Sequence, residues 1–197
     1  MEYKNLEELY GIASKCERCA LQKTRTNVVP GDGNKNAQIM FIGEGPGKNE
    51  DIQGIPFVGA AGRILDEMLA LVNLDRQDVY IANVVKCRPP ENRDPEPEEV
   101  KACWPYLKEQ VRLINPRIII TLGRHAMYRF LPSDLKISTA RGRIYRYKSI
   151  VDETKHQIYL PLYHPAVALY NPNQKKTLFE DFKKIPKILK KINNEIS

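Results

Sequence analysis

The sequence contains no run of about 18 apolar residues, so neither a membrane-spanning helix nor a membrane partner is expected. Its first residues, MEYKNLEEL, are acidic and periodic, and lack the basic head and apolar stretch of a secretory leader. A cytoplasmic protein is the expectation. Internal repeats and low-complexity tracts are missing as well, so nothing points to a repeat array. Histidine is scarce, with three residues, and cysteine amounts to four: Cys16, Cys19, Cys87 and Cys103. Disulfides are rare in the cytosol. Four cysteines with one close pair read as a metal or cluster site rather than as two bridges. The C-x2-C pair can reach one centre from a single turn, while Cys87 and Cys103 bracket a proline-rich loop and an early helix. Four thiolates suit either a [4Fe–4S] cluster or a tetrahedral zinc ion, and ligand softness does not separate the two. No flavin motif or electron-transfer partner is evident, so the expected role of such a centre is structural.

What is present fits one folded unit, residues 1–197. The formal net charge of +7, from 31 Lys plus Arg against 24 Asp plus Glu, points to an anionic partner, with nucleic acid first, or to a lysine-rich surface that binds nothing. Apolar runs at 38–43, 79–85 and 117–122 read as buried strands. Helical spacing covers 5–15, 60–72, about 98–114 with Pro105 as a kink or first-turn marker, and 124–131. Residues 43–59 read as a long Gly/Pro-rich loop, 143–147 and 157–162 as strands about a turn, and 175–192 as a basic helix interrupted by Pro186. Alternating strands and helices predict an α/β fold, a mostly parallel sheet with helices on both faces. In such sheets ligands bind outside the carboxyl ends of the strands. GEGPG, Asn83, Gly123 and His164 all fall at strand ends.

GEGPG at 43–47, GIPFVG at 54–59, NVVKCRPPENR at 83–93 and HPAVALYNP at 164–172 together resemble the family 4 uracil-DNA glycosylases, over nearly the whole chain. The resemblance implies a three-layer α/β fold with a central four-stranded parallel sheet flanked by helices. It implies a [4Fe–4S] cluster on Cys16, Cys19, Cys87 and Cys103 rather than zinc. It also implies monofunctional hydrolysis of the N-glycosidic bond of uracil in single- and double-stranded DNA, leaving an abasic site.

That chemistry gives the individual residues roles. A uracil must be flipped out of the helix, at roughly a few kcal/mol. Phe57, taken alone, would be expected in the core, but its loop position after a strand makes it the stacking partner. Asn83, otherwise a strand-end turn residue, can accept from uracil N3–H and donate to O4, a pattern that cytosine reverses. His164 is the donor to uracil O2, as neutral imidazole. His125, opening a helix, reads as structural, and His156 as a solvated turn residue. Glu44 orients or activates the attacking water, and backbone near Gly45 and Pro46 faces the base or a phosphate. The spacing G-x-G-x-G is not the dinucleotide fingerprint. Family 1 enzymes carry an aspartate at the position of Gly45 and a thymine-blocking tyrosine at that of Gly47, so the catalytic carboxylate falls to Glu44. Glu50 corresponds to a glutamate proposed to exclude thymine in family 4. Tyr170 stands where that family usually has arginine, and it or Leu169 can wedge into the gap left by the base. Arg88, Arg93, Arg141 and Arg143 are the expected phosphate contacts. The competing readings are an iron–sulfur DNA-binding protein without catalysis and a zinc-stabilised module. The sequence leaves open whether a sliding clamp or another repair protein docks on the basic tail.

Overall fold

The computed structural model describes residues 2–196, with side chains to Asn194. Six strands, β1 (Asp32–Gly33), β2 (Ile39–Gly43), β3 (Tyr80–Asn83), β4 (Ile118–Leu122), β5 (Tyr145–Lys148) and β6 (His156–Leu162), form one sheet in the order β1-β3-β2-β4-β6-β5. The central four, β3-β2-β4-β6, are parallel, as expected, and an antiparallel strand closes each edge. β5 and β6 are the strand pair read at 143–162. The two-residue β1 carries no apolar alternation that could announce it.

Among the described residues nine α-helices flank the sheet: α1 (Leu6–Ala13), α2 (Lys48–Gln53), α3 (Ala60–Leu71), α4 (Pro97–Ile114), α5 (Arg124–Met127), α6 (Ile137–Ala140), α7 (Val167–Tyr170), α8 (Pro172–Phe182) and α9 (Ile185–Ile196). β2, β3 and β4, and β6 over its second half, are buried on both faces, so their alternate residues feed two cores. Met40 and Ile42 join Leu107 and Val111 of α4 and Leu6 and Leu9 of α1. Ile39 and Phe41 join Leu65 and Met68 of α3, Phe182 of α8 and Ile185 of α9. This double burial makes β2, β3 and β4 read as unbroken apolar runs.

Four expectations are corrected. The loop 43–59 contains the short helix α2. Pro105 lies inside α4 and not in its first turn, which Pro97 occupies. The tail is two helices, with Pro186 in the first turn of α9, where its missing N–H costs nothing. His156 is the first residue of β6 and not part of a turn. Among the described residues no helix is long and apolar enough to cross a membrane.

Topology then fixes where a site can be. From β2 the chain crosses to β3 on one side, and from β3 it crosses back past β2 to β4 on the other. The carboxyl end of β2 is therefore the switch point, where neighbouring connections leave in opposite directions and open a crevice. Gly43 ends β2, Asn83 ends β3 and Gly123 follows β4.

Candidate active site

A cavity of about 300 Å³ opens at this switch point, lined among others by Gly45, Glu50, Phe57, Asn83, Asn92 and His164. A second, of about 260 Å³, is lined by Glu44, Gly123, His125, Tyr163 and His164 among others. His164 belongs to both and forms the wall they share. The structure thus brings Phe57, Asn83 and His164 around one space and sets Glu44 on the other side of the imidazole.

The approach of these groups depends on Gly43. A Cβ built there would fall 2.5 Å from Asn83 Oδ1 and 2.8 Å from Phe57 Cζ. Asn83 is 2% exposed, and its Oδ1 is buried with no hydrogen-bond partner among the described residues. An unmet buried acceptor costs about 1–3 kcal/mol. The Phe57 ring lies 5.6 Å from the His164 ring, tilted by 30°. Phe57 holds φ +54, a left-handed conformation that strains a residue with an aromatic side chain. Two features hold it there. Arg76, paired with Asp66 at 2.7 Å, donates from its guanidinium to the carbonyls of Pro56 (3.0 Å) and Phe57. Gly62 of α3 packs so closely on the Phe57 carbonyl that any Cβ would overlap it. Neither Arg76 nor Gly62 carried a signal in the sequence, because both act across loops.

Glu50 is bound on both oxygens. Oε1 accepts from Val58 N–H (3.0 Å) and Gly59 N–H (2.8 Å), and Oε2 from Gly47 N–H (3.1 Å). It closes the 47–59 loop upon itself while facing the cavity, and it takes up the Gly47 amide. Gly45 lines the cavity, whereas Pro46 is buried and is not among the lining residues. Asn92, unnoticed in the sequence, lines it too, with φ +57 and its Oδ1 accepting from Arg88 Nε at 2.8 Å. The only available signal was its place inside the motif NVVKCRPPENR.

His164 follows β6. Its Nδ1 accepts from Ala166 N–H at 3.2 Å, so the neutral ring carries its proton on Nε2. Burial pushes its pKa down to about 4, opposed by the negative charge of Glu50. Gly123, at φ +90, leaves the space that the His164 Cβ fills. Glu44 is raised to about 7, first by burial and then by Asp94, against Arg129 and Arg124. His125, read as structural, stands with its Nδ1 3.4 Å from Glu44 Oε1.

The four cysteines converge on one enclosed apolar space beneath α1 and α4, with Leu21 and Val28. Arg25 donates to Cys87 Sγ (3.3 Å) and Lys86 N–H to Cys103 Sγ (3.2 Å). The buried Lys86 side chain donates to the Asn83 carbonyl (2.7 Å) and to Gln110 Oε1 (2.5 Å), which ties the cysteine region to the end of β3.

The expected DNA-facing residues divide. Arg88 is half-buried beside Asn92, and Arg143 is exposed. Arg93 is engaged by Glu99, itself 2% exposed, at 2.7 and 2.9 Å. Arg141 pairs with buried Asp181 and lies over the Tyr163 ring. Leu169 and Tyr170 project at the end of α7, with Tyr170 84% exposed.

The model of the uracil DNA glycosylase superfamily matches residues 30–190 of this chain. A type-4 uracil-DNA glycosylase of Saccharolobus solfataricus is 50% identical over 195 residues, covering 94% of this chain and 87% of the relative. One from Archaeoglobus fulgidus is 47% identical over 186 residues, 92% of each. One from Thermotoga maritima is 42% identical over 192 residues, 94% of this chain and 97% of the relative.

Proposed function

The chain belongs to the uracil DNA glycosylase superfamily and to its type-4 members, and from that premise we propose that it flips uracil out of DNA and hydrolyses the N-glycosidic bond at the β2 switch point. The observation that carries this is the buried, unpartnered Asn83 Oδ1 beside Phe57 and His164. Uracil supplies the missing donor, N3–H, while cytosine would set a lone pair against that oxygen. Phe57 gives the base its aromatic face, and His164 Nε2–H donates to O2 as the bond breaks and charge gathers there. Glu44 directs water to the sugar's C1′ and offsets its positive charge. The water's oxygen bonds to the anomeric carbon and gives up a proton to the Glu44 carboxylate, uracil departs with the C1′–N1 bonding pair and is protonated afterwards, and an abasic site remains. Glu50, fixed on the cavity wall by three amides, is the residue we assign to excluding the thymine methyl. Gly45 brings backbone close to the base, and Pro46 shapes that turn.

On the DNA side we assign phosphate contacts to Arg88 and Arg143. Arg93 and Arg141 serve the same face indirectly, by holding the 88–96 loop and the 141–143 turn. Leu169 and Tyr170 fill the gap left by the flipped base in single- or double-stranded substrate. The test is incubation with a uracil-containing oligonucleotide followed by alkali. Cleavage at uracil, and none at cytosine or thymine in the same position, is expected. No cleavage beside a working control enzyme overturns the proposal.

Cys16, Cys19, Cys87 and Cys103 would hold a [4Fe–4S] cluster. All four line one apolar space, and the donors on Cys87 and Cys103 suit thiolate charge; the resemblance to the type-4 enzymes favours the cluster over one zinc ion. The cluster would act as a cross-link between the segment after α1, the end of β3 and α4. Purified protein is expected to be brown, with iron and acid-labile sulfide in equal amounts. Cys103→Ser is expected to lose the colour and to lower Tm by about 10 °C, or about 3 kcal/mol at roughly 2–4 °C per kcal/mol. Zinc without iron in the wild-type protein overturns the assignment.

A further inference from the structure

Glu44 has to present one oxygen to water, yet it lies at the lip of the second cavity, partly exposed. β2 and β4 are neighbours in register, so the residue after β2 and the opening of α5 after β4 stand side by side. His125 is the second residue of α5. Its Nδ1 is 3.4 Å from Glu44 Oε1, and its Nε2 accepts from Arg124 Nε at 3.0 Å. Asp94, from the loop before α4, places Oδ2 3.3 Å from the same Nε2.

A neutral imidazole has one N–H and one lone pair. A guanidinium only donates, so a ring that accepts from Arg124 at Nε2 carries its proton at Nδ1, facing Glu44. We propose that His125 is the positioning residue of Glu44: its Nδ1–H holds the water-directing carboxylate in one orientation and favours its ionised form, with Arg124 fixing the tautomer. This rests on the reading of Glu44 given above. Burial, Arg124 and Arg129 disfavour the imidazolium, and Asp94 favours it. A second proton on Nε2 would require Arg124 to leave and Asp94 to take its place. The charged groups around the pair are therefore Asp94, Arg124 and Arg129, with neutral His164 across the cavity.

A hydrogen bond to the charged form of an acid lowers its pKa, so losing this donor moves the Glu44 ionisation upward. The test is single-turnover uracil release from a single-stranded oligonucleotide, followed from acid to alkaline pH in EDTA. EDTA is included because Glu44, Asp94 and His125 present ligand atoms within 4.8 Å of one another. His125→Ala is expected to shift the acid limb of the rate upward by about half to one pH unit. The rate at neutral pH then falls roughly two- to fivefold and largely recovers in alkali, while cluster absorbance and DNA affinity do not change. His125→Asn, whose amide NH2 takes the place of Nδ1–H, is expected to keep the wild-type limb and controls for folding. His125→Gln, whose amide reaches the Nε2 position, is expected to behave like alanine. An alanine variant whose limb coincides with that of the wild type overturns the inference, as does an asparagine variant no better than alanine. Glu44→Gln separates the two levels. Full activity in that variant removes the reading of Glu44 itself. A slow, limb-free Glu44→Gln beside a His125→Ala with an unshifted limb removes only the role of His125.

Discussion

Replacing His164 by leucine is expected to slow uracil release about 10²–10³-fold, the usual cost of removing one donor from a developing anion, with DNA affinity nearly unchanged. Nδ1 is taken by the Ala166 amide and Nε2 carries the proton, so the ring offers one fixed donor to the cavity. Gly123 and Phe57 pack against it, and no rotation is needed when charge appears on uracil O2. His164→Gln, which can place an amide NH2 near the Nε2 position, is expected to recover part of the loss. With a pKa near 4 the ring stays neutral throughout the physiological range, so this donor contributes no inflection to the rate between mildly acid and alkaline pH. Its pH signature is in stability. The folded pKa is depressed, so between about 6.5 and 4 the unfolded chain binds a proton that the folded chain refuses. Wild-type stability falls as pH drops through that window, and the leucine variant lacks this part of the fall. Melting curves of both proteins at neutral and acid pH read this directly. A leucine variant within threefold of wild-type rate would remove His164 from the leaving-group side of the reaction.

The sequence displayed those parts of the fold and site that depend on local pattern. β2, β3 and β4 were visible because burial on both faces leaves only apolar residues. Phe57, Asn83 and His164 were read together because strand ends in a parallel sheet gather ligand sites, and the three line one cavity. The misses share one cause, which is contact between distant segments. α2 has six residues and no apolar stripe. Glu50 holds it in place by accepting from amides up to nine residues away. The nearness of His125 to Glu44 gave no sign, because Glu44 is some eighty residues earlier and is brought near only by strand pairing. Arg93 and Arg141 are charged residues in loops, the usual marks of a phosphate contact. Nothing local shows that Glu99 and Asp181 are buried and need a cation. A buried carboxylate without one would cost several kcal/mol, so those two arginines are engaged before DNA arrives.

Glu44→Gln is the companion experiment to the histidine change, and a loss of about 10²–10⁴-fold in uracil release is expected, the range for a group that directs proton transfer. The pH profile identifies its origin. Burial and Asp94 raise Glu44 to about 7, and the ionised carboxylate is the form that orients water and faces the sugar cation. The wild-type rate is therefore expected to climb tenfold per pH unit below about 7 and to level above it. Glutamine, isosteric but never ionised, removes the climb and leaves a low, flat rate. Stability moves the other way. A raised folded pKa means that the folded state holds a proton the unfolded chain has released between about 4.5 and 7. That contribution is complete below pH 4.5 and lost as pH rises through 7, so above neutrality the wild-type protein bears a partly buried charge. Glutamine does not bear it, and Glu44→Gln is expected to melt higher than wild type in alkaline buffer and about equally in acid. Slower catalysis combined with a higher alkaline Tm is the sign of a carboxylate kept for chemistry at the expense of stability. A variant that is slow but also less stable at alkaline pH would instead make Glu44 a structural residue. The water would then need another base, and Asp94, whose Oδ2 lies 3.3 Å from His125 Nε2, is the next carboxylate to replace.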